Sequence, residues 1–365
     1  MKIGIVTQPL LNNYGGILQN YALQQALIKI GHSPITLDFL PGKAGFSRIY
    51  AQFCRILLKT IGKYKGNWKY PEPMKRNNPY IIGFIERYIA KTPTFWNKYF
   101  NSLIKSNKIE AIIVGSDQVW RPIYNQDLKG MFLYFAKNYR IPKIAYAVSF
   151  GSSTLEYNEK QIIYIKKLIK EIKHISVREK DGIKLVEELG SKAKCVLDPT
   201  LLLTKKDYEK ILPILSPKNS LTTYILDQKD NMPQLLNYLK NTLKIENLNE
   251  LTLQSHNVGP IEWIQTIAES KYMITDSFHG TVFCILFHIP FLSIINKERG
   301  ASRFLSLLQS LNLLNRLIHP EDLEDPEKLN EKINLTIDWG NVDLTLNYLR
   351  NDSMNFLETS LGSNN

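Results

Sequence analysis

The amino-acid sequence predicts an α/β protein with two domains, each built on a parallel sheet. Short apolar runs alternate with segments of helical periodicity along most of the chain, which is typical of parallel sheets covered by helices. The alternation restarts after a proline-containing link at residues 213–220. The chain of 365 residues is long enough for two separate cores. We therefore expect two Rossmann-like domains that face each other across a cleft.

The first domain is predicted over residues 1–212. Its opening run KIGIVTQ is typical of a strand, and the following LQNYALQQALIKIGH has helical spacing and ends near Gly31. The next run, SPITLDFL, completes a strand–helix–strand unit of the kind that builds parallel sheets. Further apolar runs that end at small or polar residues follow at IEAIIVGSDQVW, KIAYAVSFG and HISVREKDG.

The second domain is predicted over residues 218–335. Strands are expected at LTTYILD, LNELTLQ, YMITDS and PFLSII, and helices at MPQLLNYLKNTLK, GPIEWIQTIAESK, HGTVFCILFH and SRFLSLLQSLNL. Residues 336–365 have an amphipathic pattern, so we expect a closing helix that packs back on the first domain. Ligands of such sheets bind outside the carboxyl ends of the strands, so the turns after the strands are the candidate sites.

The composition, 44% hydrophobic and 22% charged, is that of an ordinary globular protein. The sequence lacks a signal-peptide pattern and a run of about 20 uncharged apolar residues, so a cytoplasmic protein is expected. Cys54, Cys195 and Cys284 are scattered without metal-site or disulfide spacing. The sequence shows no carboxylate cluster and no Cys/His set with the spacing of metal ligands, so we expect no metal and no cofactor.

The net charge of +12 is concentrated in one segment. Residues 41–110 hold 14 Lys or Arg against 3 Glu, a net +11, together with 13 aromatic residues. Cations interleaved with Trp and Tyr suit an anionic membrane edge or a lipid-linked phosphate. We call residues 41–107 the basic aromatic insertion. A nucleic-acid surface is one alternative, and a solvated insertion whose aromatic rings pack inward is another.

Two turns of the first domain carry candidate side chains. In NNYGGILQ, Gly15 and Gly16 stand between a predicted strand and helix, where backbone N–H groups can face an anion, although a steric glycine turn explains them equally well. In GSDQVWRP, Asp117 could accept a proton from a hydroxyl, and Trp120 offers a flat face of the sort that packs against sugar rings. Alternatively, Ser116 or Asp117 merely caps the next turn.

Further cations follow other predicted strands. Arg178 comes just after a predicted strand, and its guanidinium can form two parallel hydrogen bonds to a carboxylate or phosphate. Alternatively, Arg178 pairs with Glu179 or Asp181 at the surface. In TDSFHG, a histidine stands at a helix N-terminus, where the dipole favours anions. In NKERGASRF, more cations follow the next strand. These groups should converge on one rim and bind a small, doubly charged anion; they are Asp276, Ser277, His279, Lys297, Arg299 and Arg303.

Six segments in order resemble the polysaccharide pyruvyl transferase family over residues 1–40 and 110–318. They are NYGGILQNYALQ, GSDQVW, SVREK, VLDPTLL, TDSFHGTVFCILFHIPF and SRFLSLLQSLNLLNR. The resemblance implies a GT-B-like fold and transfer of a pyruvyl group from phosphoenolpyruvate to a sugar, forming a ketal and releasing phosphate. It also implies a cell-surface polysaccharide precursor as acceptor, often linked to a polyprenyl diphosphate, and no nucleic-acid partner. The basic aromatic insertion would then make peripheral contact with the anionic inner leaflet.

The resemblance also implies roles for the candidate residues. Phosphoenolpyruvate would bind on the side of the second domain, held by Arg178 of the first domain and by Lys297, Arg303 and Ser277, with His279 protonating the donor or holding its phosphate. Asp117 is our candidate base toward the sugar. On the acceptor side, in the first domain, we expect Asn13, Gly15, Gly16, Trp120 and Arg121. Two alternatives stay open: a GT-B glycosyltransferase with a nucleotide-sugar donor, and a non-catalytic relative that binds a glycan or a membrane.

Overall fold

The computed structural model describes residues 1–40, 54, 57, 76–96, 100–125, 127–227, 232–252, 258–295, 300–319, 322 and 325–362. Most of the basic aromatic insertion, including the predicted interfacial residues Trp68 and Tyr70, lies outside these ranges. Two parallel sheets with helices on their faces form the described part of the chain, so the prediction of two α/β domains is confirmed. Of the described helices, none is both long and apolar enough to span a membrane.

The first domain is built on a six-stranded sheet of order β2-β1-β5-β6-β7-β8, paired in parallel throughout. The strands up to residue 195 are β1 (Lys2–Val6), β2 (Ser33–Thr36), β3 (Phe39–Leu40), β4 (Phe95–Trp96), β5 (Ala111–Val114), β6 (Lys143–Val148), β7 (His174–Val177) and β8 (Lys194–Cys195). Among the described residues, the short strands β3 and β4 pair with each other. The helices are α1 (Tyr14–Lys29), α2 (Pro79–Tyr88), α3 (Phe100–Ser106), α4 (Leu128–Met131), α5 (Glu159–Leu168), α6 (Lys180–Glu188) and α7 (Lys205–Glu209).

The second domain has a five-stranded parallel sheet of order β10-β9-β11-β12-β13. Its strands are β9 (Ser220–Tyr224), β10 (Asn247–Leu251), β11 (Tyr272–Thr275), β12 (Phe291–Ile294) and β13 (Leu317–Ile318). Its helices are α8 (Met232–Leu243), α9 (Pro260–Ala268), α10 (Phe278–Phe287), α11 (Ala301–Ser310) and α12 (Pro326–Asn334). In both sheets the chain reverses its direction of growth once, between β1 and β5 and between β9 and β11, which is where such sheets bind ligands.

Helix α1 joins the two domains through a shared apolar core. Its Leu23 and Leu27 pack with the strand residues Ile3 and Ile5 of the first sheet. On another side, Tyr14 stacks on Trp263 of α9 with ring centres 5.7 Å apart. Because α1 is covered on several sides, its apolar residues do not fall on a single stripe. The two domains are therefore held by buried apolar contact as well as by the chain that connects them.

The last helix, α13 (Trp339–Leu361), lies against the first domain. Leu357 and Leu361 join the core cluster that contains β1 and β5 residues. Arg350 donates from Nε to the carbonyl of Leu201 at 2.8 Å, and Ser353 accepts the backbone N–H of Leu197 at 3.0 Å. These contacts anchor the helix beside the turn that follows β8.

Candidate functional site

The first turns of α1 and α10 touch each other where the two domains meet. A Cβ atom on residue 15 would overlap the Nδ1 and Cγ atoms of His279, so the imidazole lies directly over Gly15. The sequence predicts Gly15 and Gly16 in the turn before the helix. This boundary is wrong, because α1 already begins at Tyr14 and Asn13 caps it by accepting the Gly16 N–H at 3.3 Å. Asn13 thus has a structural role in addition to its predicted place on the acceptor side.

The polar residues before His279 shape the turn that presents it. Both oxygens of Asp276 accept backbone N–H groups, from Leu226 at 2.7 Å and from Asp227 at 3.1 Å, which ties β11 to the end of β9. Ser277 is the N-cap of α10 and accepts the Gly280 N–H at 3.4 Å. These two side chains therefore fix the first turn of α10.

Arg178 follows β7 and is buried between two carboxylates. Its Nη1 donates to Asp198 at 2.7 Å and its Nη2 to Asp117 at 3.2 Å, while its guanidinium lies 4.8 Å from the ring centre of Phe278. The alternative of a surface pair with Glu179 or Asp181 is therefore wrong. The two acids hold the fork of Arg178 in one orientation.

Asp198 links the arginine to the histidine, and the sequence did not assign it a role. It is 1% exposed, and its Oδ1 accepts the N–H and hydroxyl of Thr200 at 3.0 and 2.6 Å. Its Oδ2 lies 3.8 Å from His279 Nε2 and 3.3 Å from the Ser116 hydroxyl. Burial alone would raise the pKa of Asp198, but His279 and Arg178 outweigh burial and hold that pKa well below its usual range. Asp198 is therefore a permanent carboxylate.

Asp117 also stays ionised. Burial would raise the pKa of Asp117, but Arg178, His279 and Arg303 together lower it. A carboxylate that holds protons so weakly is a poor base near neutral pH. The pairing favours a role in orienting Arg178 over the predicted role as a base toward the sugar.

Arg303 completes a pair of guanidinium groups around one ring. It extends from the first turn of α11, with its guanidinium 5.4 Å from the ring centre of Phe278 and its Nη1 3.9 Å from Asp117. Burial and the charge of Arg178 lower the pKa of Arg303 to about 10. Asp117 and Asp198 already offset the charge of the two guanidinium groups. What makes the pair a candidate anion-binding site is that two guanidinium groups, each able to donate several hydrogen bonds to a carboxylate or phosphate, lie beside one ring.

Glu179 supports the loop that borders this pair. Its Oε1 accepts the Ser149 hydroxyl at 2.8 Å and the Phe150 N–H at 2.9 Å, and its Oε2 has no hydrogen-bond partner within the described residues. Burial raises the pKa of Glu179, and the positive charge of Arg178 offsets only part of this rise. The loop it holds reaches the second domain, since a Cβ on Gly300 would lie 2.7 Å from the carbonyl oxygen of Gly151.

Two predicted acceptor residues are placed differently from expectation. Trp120 is fully buried, stacks on Phe132 with ring centres 4.6 Å apart and donates its indole N–H to Met131 at 3.0 Å. The prediction that its face packs against a sugar is wrong, because no face is open. Arg121 is likewise engaged, with Nε and Nη2 each 3.0 Å from a carboxylate oxygen of Glu156.

Two predicted cations cannot be placed, since Lys297 and Arg299 lie outside the described residues. The site that is described brings together Arg178, Arg303 and His279 from both domains. His279 Nε2 is buried and finds no hydrogen-bond partner in the ranges given above, so it has capacity for a ligand. The described residues contain no group of three or more His, Cys, Asp or Glu able to hold a metal ion. The geometry suits a small molecule with two anionic groups.

Comparisons with known proteins agree with this picture. Residues 13–298 match the family model described as Polysaccharide pyruvyl transferase. No curated protein matches the chain. Among solved structures, S. aureus MnaA in a co-structure with UDP is similar at a TM-score of 0.50 and 11% identity, covering 99% of this chain and 97% of that one.

Two further solved structures are similar over nearly their whole length. The UDP-GlcNAc 2-epimerase from Neisseria meningitidis bound to UDP-GlcNAc has a TM-score of 0.48 and 12% identity, with 100% of both chains covered. The spinosyn rhamnosyltransferase SpnG complexed with thymidine diphosphate has a TM-score of 0.42 and 9% identity, covering 100% of this chain and 96% of that one. The likeness to S. aureus MnaA concerns the fold alone, and together with the two parallel sheets it confirms the predicted GT-B-like architecture.

Proposed function

The chain belongs to the polysaccharide pyruvyl transferase family, and from this premise we propose that it transfers a pyruvyl group from phosphoenolpyruvate to a sugar of a polysaccharide precursor. The observation that carries the proposal is the pair of buried guanidinium groups, Arg178 and Arg303, on the ring of Phe278 beside His279. Phosphoenolpyruvate has a carboxylate and a phosphate attached to the same carbon, C2, which matches two neighbouring cations.

A donor as strongly negative as phosphoenolpyruvate needs more positive charge than the two guanidinium groups supply. Asp117 and Asp198 already offset Arg178 and Arg303, so a trianionic donor needs further positive groups. The N-terminus of α10, where His279 stands, supplies partial positive charge. We also assign this role to Lys297, which follows β12 in the sequence.

The reaction forms two C–O bonds at C2 of the donor and breaks one. C3 of the enol gains a proton, which makes C2 electrophilic, and one sugar hydroxyl adds to C2. A second hydroxyl then adds to C2 as the phosphate leaves. One hydroxyl proton is balanced by the proton gained at C3, and the other leaves with the phosphate. We propose that His279 delivers the proton to C3, since general acids of this kind contribute about 100-fold or more.

Replacing His279 with alanine should lower turnover by about 100-fold or more while the protein stays folded. The measurement is phosphate release from phosphoenolpyruvate with a panel of galactose, mannose and N-acetylmannosamine glycosides, with mass spectrometry of the glycan. His288→Ala is the matched control, because His288 ends the same helix and pairs at the surface with Asp343 at 3.0 Å. Full turnover by the His279→Ala protein would reject the assignment, and stabilisation by nucleotides but not by phosphoenolpyruvate would favour a glycosyltransferase.

We further propose that the acceptor is carried on a polyprenyl diphosphate and that the basic aromatic insertion contacts anionic headgroups. Replacing Lys59, Lys63, Lys65 and Lys69 with glutamine should weaken the affinity for phosphatidylglycerol vesicles, measured by cosedimentation, by about 100-fold or more, since each of the four nearby cations contributes about 1 kcal/mol. The control removes as many charges from the exposed lysines in and after α5, which are Lys160, Lys166, Lys167 and Lys170. Equal vesicle binding by both variants would refute membrane contact through this insertion.

A further inference from the structure

A short turn after Trp120 exposes two large side chains next to the anion site. Residues Pro122–Tyr124 form a single 3-10 turn, and Ile123 is 74% and Tyr124 45% exposed. Exposed apolar side chains that stand beside a buried polar site are candidates for ligand contact. Tyr124 stands four residues after Trp120, the buried residue whose ring the sequence predicts to pack against a sugar.

The turn is rigid, because one amide and one ion pair hold it. The Asn125 side chain donates to the carbonyls of Gln118, Val119 and Arg121 at 3.0, 2.8 and 3.0 Å. Arg121, fixed by its bidentate pair with a glutamate, lies behind the ring of Tyr124 with 5.4 Å between guanidinium carbon and ring centre. A ring supported in this way loses little conformational entropy when a ligand packs on it.

A continuous line of contacts connects this turn to Arg303. A Cβ on Gly151 would lie 2.7 Å from Arg121 Cδ, and one on Gly300 would lie 2.7 Å from the carbonyl oxygen of Gly151. Arg303 in turn donates from Nε to the Gly300 carbonyl at 3.4 Å. The oxygen of Tyr124 lies within electrostatic range of Arg303, because a negative charge on it would raise the pKa of that guanidinium, which burial and Arg178 lower to about 10. The exposed ring therefore borders the cations of the site.

We propose that Tyr124, flanked by Ile123, is the platform on which a pyranose ring of the acceptor stacks, with its hydroxyls directed toward Arg303 and His279. This subsite rests on the proposed function for the identity of the donor but not for the binding of the sugar. The apolar C–H face of a pyranose matches an aromatic ring, and Tyr adds a polar edge for sugar hydroxyls. Two side chains are too small a surface for a stable protein partner, which needs about 800 Å² per side.

The test separates sugar binding from donor chemistry. Saturation-transfer NMR with methyl galactoside, methyl mannoside and methyl N-acetylmannosaminide is recorded on the full chain without phosphoenolpyruvate. Tyr124→Ala should weaken the signal of the bound glycoside by about three- to tenfold, and Tyr124→Phe should retain it. Tyr348→Ala, which removes a Tyr that is 73% exposed on α13, is the matched control and should bind as the wild type does.

Kinetics give a second readout. In the phosphate-release assay, Tyr124→Ala should raise the acceptor KM by the same factor and leave the KM for phosphoenolpyruvate unchanged. The subsite is overturned if wild type and Tyr124→Ala bind the glycosides equally, if none of them binds to the wild-type protein, or if Tyr124→Ala instead abolishes a self-association seen by light scattering. Sugar binding that depends on Tyr124 in a protein inactive toward phosphoenolpyruvate would support the subsite and reject the proposed donor.

Discussion

Replacing Gly15 with alanine should abolish turnover in a protein that still folds. The new methyl group would overlap the imidazole of His279, so the ring must leave its place beside Asp198 or the two helices must separate. A displacement of about 1 Å at a reacting group can cost about 100-fold in rate. Alanine is the better helix residue by about 0.5–1 kcal/mol, so helix propensity cannot explain a loss. Phosphate release and thermal unfolding of the variant are the measurements.

Two further variants test whether the contact between residue 15 and His279 causes the loss of turnover. Gly83→Ala changes a glycine of α2 whose Cβ would meet no atom within 4 Å, and it should keep activity and gain a little stability. The double variant Gly15→Ala/His279→Ala removes the ring that the methyl group would meet. Its melting temperature should exceed that of Gly15→Ala, because the two changes share one contact. If the double variant is less stable than Gly15→Ala, the contact is not the cause.

Replacing Asp198 with asparagine should lower turnover by about 100-fold and destabilise the protein by about 3 kcal/mol. The change leaves Arg178 with one of its two buried carboxylates, and removing one member of a buried pair is costly. It also removes the charge that faces His279 Nε2. The matched control is Asp343→Asn, since Asp343 pairs with His288 at the surface and such pairs contribute about 0–1 kcal/mol.

The same variant should flatten the acid dependence of stability. Because the folded state holds the pKa of Asp198 below its usual range, this carboxylate stabilises the fold fully above about pH 4. The stabilisation is lost as the pH falls further, because the unfolded chain then takes up the proton first. Melting temperatures at pH 7 and pH 3 should therefore differ less for Asp198→Asn than for the wild type. An unchanged difference would show that Asp198 is not held as a carboxylate.

The fold and the members of the site were predictable to different degrees. Alternating apolar runs mark parallel strands, and the ends of such strands meet at one edge of a sheet. Arg178 follows β7 and His279 follows β11, so each was predicted at a strand end, but the two strands belong to different sheets and only the family resemblance placed both residues on one ligand. Asp198 carried a weaker signal, because it follows the two-residue strand β8, which is too short to show a periodic pattern.

Burial was the property that the sequence predicted least well. Trp120 and Tyr124 are both aromatic residues just after GSDQ, and nothing in their local pattern distinguishes the buried ring from the exposed one. Phe278 also gave no sign that its ring would contact two guanidinium groups, since those come from different domains. Such choices depend on packing between segments far apart in the chain, which local patterns do not encode.

The packing of α13 on the first sheet has a consequence for how the protein is made. Leu357 and Leu361 of α13 cover part of the core cluster that contains Ile3 and Ile5 of β1. The ribosome therefore synthesises Ile3 and Ile5 long before the helix residues that cover this cluster. During synthesis that patch stays open until residue 361 has emerged, and contacts between such distant segments form slowly. The nascent first domain therefore depends on chaperone protection, or on late folding, for much of its translation.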